Sequence, residues 1–148
     1  MNMYVDAVFK TVFKEGCCEA MAIQTLRSMS HEAEVESLEN ELQAGYPKCI
    51  GLLSHIENAR KSRAPVETAL EGCNTLNEQK LVKEVLKSSQ IIKGVSYYLG
   101  YPLAKAVLEK YGIQGVRFSL ESDPPLEAQY FESPQKYLAK LEKTIICK

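Results

Sequence analysis

Apolar residues recur along most of this chain with the period of an α-helix. Over residues 3–14, Val5, Val8, Phe9, Val12 and Phe13 fall at i, i+3, i+4, i+7 and i+8, the stripe of an amphipathic helix. Gly16 follows where a helix end often takes a positive φ, so the pattern predicts a stop there. A second helix, about 17–29, then places Cys18, Met21, Ala22, Leu26 and Met29 on one face. Ser30 suits an N-cap and Glu32 the first turn of a third helix. Its stripe is Val35, Leu38 and Leu42, and "AGYP" at 44–47 predicts its end through Gly45 and Pro47.

Cys49, Leu52, Leu53 and Ile56 line the next helix, which runs into a basic stretch at 60–63, and Pro65 opens a short helix to about Cys73. Thr75 and Glu78 have the spacing of a capping box. Behind them Leu81, Val85, Ser88, Ile92, Val95 and Leu99 repeat in alternating steps of four and three, the longest periodic segment of the chain. Gly100 and Pro102 punctuate, a short helix covers 103–111, and Gly112 ends it.

The period then changes to two. Val116, Phe118 and Leu120 alternate with Arg117, Ser119 and Glu121; after the turn residues "SDPP", Leu126, Ala128 and Tyr130 alternate again. Together they predict a β-hairpin. Ser133 and Pro134 open a last helix with Tyr137, Leu138, Leu141 and Ile145 inward. The expected fold is mainly α. It is a single-domain helical bundle over 1–148, built around one long central helix (about 76–99), with a C-terminal β-hairpin (about 115–131) and a final helix.

Composition narrows the class of function more than it names one. A chain of 148 residues buries enough surface to fold without a metal or disulfide. Its formal net charge of −1 gives no basic excess for nucleic acid. The first residues lack the basic start and unbroken apolar core of a secretory signal, and no apolar run reaches the ~18–20 residues of a membrane span. Cys17, Cys18, Cys49, Cys73 and Cys147 are odd in number and form no C-x-x-C pair, which fits free thiols in a reducing, cytoplasmic setting.

Candidate chemistry is sparse. Cys17, Cys18 and Met21 bring soft sulfur together, but no further ligand stands one helical turn away, so a helix flank explains them better than a metal. His31 and His55 complete no metal or nucleophile motif, and neither a phosphate loop nor a dinucleotide fingerprint occurs. No cofactor is implied, and an enzyme is disfavoured. Arg60, Lys61 and Arg63 form the one dense basic cluster, which suits a helix C-terminus.

Tyr97, Tyr98 and Tyr101 gather beside Gly100 and Pro102, and tyrosine combines a large apolar face with one polar tip. With Arg117 and Tyr130 of the predicted hairpin they make the candidate binding surface. The expected function is a small cytoplasmic, non-catalytic protein–protein interaction module. It would act as an adaptor or as a regulator or inhibitor of another protein, as a homodimer or bound to its partner, with no membrane contact. A small-molecule pocket between helices is the alternative, and an enzyme whose residues meet only in three dimensions the third.

Overall fold

The structure, a computed structural model, describes residues 3–51, 76, 79–80, 95–121 and 123–147. Of the described residues 89% are helical. They form α1 (Met3–Ser28), α2 (Glu32–Cys49), α3 (Val95–Leu120), α4 (Ala128–Glu132) and α5 (Pro134–Cys147). The capping box at Thr75, the basic cluster at 60–63, His55, Cys73 and most of the predicted central helix (81–94) lie outside the described residues. Among the elements that are described, α3 takes the central place and packs against each of the other four.

α1 does not stop at Gly16. It continues to Ser28, and the buried positions Phe9, Val12, Phe13, Cys17, Ala20 and Ile23 form one unbroken stripe. Gly16 is therefore a mid-helix residue, unfavourable there by about 1 kcal/mol relative to Ala, and its role is contact. A β-carbon on Gly16 would overlap the carbonyl of Gly100 on α3, and one on Gly100 would overlap the carbonyl oxygen of Val12. Ser96, Gly100 and Ala104, all buried, form the small-residue ridge of α3 at this crossing, the most extensive helix–helix interface described.

The stop comes instead at Ser30, whose φ is +63°. The His31 amide donates to the Leu26 carbonyl at 3.0 Å and the Ser30 amide to Arg27 at 3.1 Å, the paired bonds of a Schellman motif. Ser30 thus closes α1 rather than capping α2. The N-cap of α2 is His31, which makes no side-chain capping bond. α2 also passes through its predicted end, with Pro47 inside it. Gly45 faces the ring of Tyr98, whose atoms would lie 2.5 Å from a β-carbon there, so packing accounts for that glycine. Gly100 and Pro102 likewise fall inside α3 rather than before it.

The predicted β-hairpin (about 115–131) is overturned: the described residues contain no β-strand. Residues 115–120 continue α3 beyond a kink at Gly112 (φ 61°, ψ −153°). They bury Gly115, Val116 and Ser119, a helical spacing, and the Ser119 hydroxyl donates to the Gly115 carbonyl four residues back at 2.9 Å. Three alternating pairs are too few to separate period two from period 3.6. Leu126 and Ala128 are buried as the alternation expects, but α4 begins at Ala128 and adds Tyr130 and Phe131 to the core together.

α5 does start at Pro134 and buries Tyr137, Leu138 and Leu141. Phe131 stacks on Phe9 with ring centroids 5.7 Å apart, which ties the C-terminal corner to α1.

Candidate functional site

α2 and α3 both present one ridge to the α4–α5 corner. Leu42, Gln43 and Tyr46 follow the i, i+1, i+4 spacing of one helix face, and Tyr101, Pro102 and Lys105 do the same on α3. With Glu132 at the end of α4 and Pro134 at the start of α5, they line an open groove of about 440 Å³. Pro134 can stand there because the first helical position needs no amide donor. Pro47 and Pro102 remove donors from within helices, so the carbonyls of Gln43 and Tyr98 lose their usual i+4 partners.

The polar groups of the groove are largely committed to the fold. The Tyr46 hydroxyl donates to the Phe131 carbonyl at 2.6 Å, locking α2 to α4. Tyr101 donates to Glu39 Oε1 at 3.0 Å, and Lys105 Nζ reaches the same oxygen at 3.2 Å. Arg27 of α1 approaches it at 3.2 Å, so one carboxylate joins α1, α2 and α3. Lys105 also stands 4.0 Å from Glu109 and lies over the Tyr101 ring.

The titration shifts follow from this arrangement. Burial pushes the Glu39 carboxyl up, but the hydrogen bonds from Tyr101, Lys105 and Arg27 outweigh it and hold the group below its ordinary value. Burial, and then Glu39, push the Tyr101 phenol above its ordinary range. Burial, and then Glu132, raise Tyr46.

A smaller cavity of about 110 Å³ is lined by Glu19, Leu38, Glu41, Leu42, Tyr97 and Tyr98. It shares Leu42 with the groove. The Tyr98 hydroxyl donates to Glu41 at 3.3 Å. Burial, followed by the nearby Glu41 and Glu15 charges, raises the Glu19 carboxyl.

The three candidate tyrosines are thus divided between two cavities. Tyr97 and Tyr98 are half-buried beside the smaller one, and Tyr101, only 5% exposed, forms part of the groove wall. Tyr130 is 1% exposed and packs on Tyr137 at a centroid distance of 5.3 Å, with Lys140 over its ring. Arg117 is exposed and paired with Glu121 at 3.1 Å. Neither Tyr130 nor Arg117 lines the groove or the smaller cavity.

Gln43, Tyr46, Lys105, Glu132 and Pro134 are groove residues that sequence reasoning did not single out. The signal the sequence offers is "AGYP", whose glycine and proline point to a helix end rather than to a groove wall.

The sulfur-rich stretch is split by the helix. Cys17 is buried and its thiol is pushed up to about 12 by burial and then by Cys18, whereas Cys18 and Met21 are exposed. This reverses the expected facing, because the stripe of α1 runs on in phase through Gly16. Among the described residues, no group of three or more His, Cys, Asp or Glu is placed to hold a metal ion, and no helix is long and apolar enough to cross a membrane. No protein-family model, no curated protein and no solved structure matches this chain.

Proposed function

We propose that this chain is a non-catalytic interaction module, an adaptor or regulator that receives a peptide segment of another protein in the groove between α2, α3 and the α4–α5 corner. One observation carries the reading: an open groove of about 440 Å³ with Leu42, Tyr46, Tyr101, Pro102 and Pro134 in its walls. The phenols of Tyr46 and Tyr101 and the ammonium of Lys105 already serve internal partners. What the groove offers an occupant is therefore shape and apolar surface, which suits recognition more than turnover.

The size of the groove favours a second reading, since pockets for small ligands span ~300–1,000 Å³. Selection of short random peptides displayed on phage, against the full chain, separates the two. Peptide recognition predicts enriched sequences whose binding falls by at least roughly tenfold in Gln43→Trp, a hot-spot-sized loss, with the melting temperature unchanged because Gln43 is exposed. Absence of enrichment, together with a ligand-dependent rise in melting temperature in a metabolite screen, would replace the first reading with the second.

A further inference from the structure

The charges around the groove are unequal in what they leave for an occupant. Lys105 is held by Glu39 at 3.2 Å and stands 4.0 Å from Glu109, so its positive charge is matched within the protein. Glu132, exposed at the opposite wall, has no basic side chain within ion-pair distance among the described residues. α2, the third wall, adds no free charge to the lining: Glu39 is matched by Arg27 and Lys105, and Glu41 lies on the smaller cavity and accepts from Tyr98. The Gln43 carbonyl, deprived of its helical donor by Pro47, adds an acceptor from the same wall. Among the described residues the groove is thus apolar in its walls, with one carboxylate at its rim, Glu132, that no basic side chain matches.

On the reading of the groove as a peptide site, we infer that its occupant is a basic, apolar segment of a partner protein. An apolar side chain fills the space between Leu42, Tyr101 and Pro102, and a neighbouring lysine or arginine faces Glu132. An acidic segment would meet Glu132 and would have to draw Lys105 away from Glu39 and Glu109. Opposite charge on partner and groove also speeds encounter and makes it salt-dependent.

The peptides enriched on the full chain provide the test. The expected result is an apolar residue within a few positions of lysine or arginine, weaker binding as salt rises, and affinity lower by roughly two- to fivefold in Glu132→Gln, the range of an exposed ion pair. Glu132→Lys should shift the enriched sequences toward aspartate or glutamate. Groove-dependent binding that is lost in Gln43→Trp but indifferent to Glu132 and to salt would overturn the basic occupant and leave the peptide site standing. Failure of any peptide to bind in a Gln43-dependent way would overturn both. A dimer of the full chain that dissociates in Glu132→Gln would make the occupant a second copy and overturn the assignment to a partner.

Discussion

Gly16 and Gly100 meet backbone to backbone where α1 crosses α3, and a β-carbon on Gly100 would stand 3.1 Å from the Gly16 Cα while overlapping the Val12 carbonyl oxygen. Backbone, unlike the tip of a flexible side chain, cannot move aside without separating the helices. Gly16→Ala and Gly100→Ala are each expected to destabilise the fold by about 2–3 kcal/mol, even though alanine is the better helix former. Urea denaturation measures this. A neutral or stabilising Gly100→Ala would mean that the two helices cross elsewhere.

Ser30 supplies a contrast, because there glycine is what the backbone wants. Its φ of +63° lies in the left-handed region, where an L-residue is disfavoured by roughly 1–2 kcal/mol. Ser30→Gly should raise stability by about 1 kcal/mol, less the entropy that glycine adds to the unfolded chain. Gly112→Ala should have the opposite effect and cost ~1–3 kcal/mol, since φ 61° with ψ −153° is accessible almost only to glycine. Thermal melts of the two variants, moving in opposite directions, check both.

Glu39 gathers Arg27, Tyr101 and Lys105 on one oxygen. Glu39→Gln is expected to cost about 1–2 kcal/mol, and Tyr101→Phe about 1 kcal/mol. The double variant should cost less than their sum, because both act on the same hydrogen bond, one by removing its donor and the other the charge of its acceptor. Strict additivity in a double-mutant cycle would show that Tyr101 and Glu39 do not interact. Because the folded-state pKa of Glu39 is depressed, its contribution is present above the ordinary carboxylate range and is lost as pH falls through that range.

Alkaline conditions should weaken the fold through its buried acids. The Cys17 thiol rises from 9.0 to about 12 and the Tyr137 phenol from 10.0 to about 12, both through burial first. A raised folded-state pKa means that the native state keeps a proton the unfolded chain gives up. Stability is therefore intact below about pH 9 and is lost progressively as pH climbs toward 12. Cys17→Ala should flatten the part of the decline that begins near pH 9. In the folded protein, iodoacetamide should label the exposed Cys18 and Cys147 well before the buried Cys17, and mass spectrometry of the digest reads the order. Labelling of Cys17 first would contradict the phase of α1.

The class of fold was legible in the sequence because amphipathic stripes report burial directly. Phe9, Val12 and Phe13 of α1, and Tyr137, Leu138 and Leu141 of α5, all lie inside as their spacing requires. Punctuation misled where a residue served packing. Gly16 suggests a helix end, and a restart after it shifts the stripe by one residue, placing Cys18 inside in place of Cys17. Gly45 and Pro47 likewise suggest an end to α2, but the helix runs through both, and Gly45 is explained by its contact with the Tyr98 ring. The segment 115–120 was ambiguous for a different reason, since Val116 and Leu120 fit both periods and only tertiary burial decides. The groove was beyond reach because it joins residues 42–46, 101–105 and 132–134, brought together only by the crossing of α2 and α3 and the corner before Pro134. Tyr101 attracted notice as one of a cluster, whereas its partner Glu39 lies 62 positions away.

A partner segment lying in this groove would be seen at once in a backbone amide titration. Uniformly nitrogen-15-labelled full chain would be titrated with an enriched basic, apolar peptide and followed by NMR. Occupation of the groove gives saturable shifts centred on Gln43, Tyr46, Lys105 and Glu132, with little change along the exposed side of α1 at Met21 and Thr25. Shifts concentrated on that side of α1, with the groove amides unmoved, would contradict it.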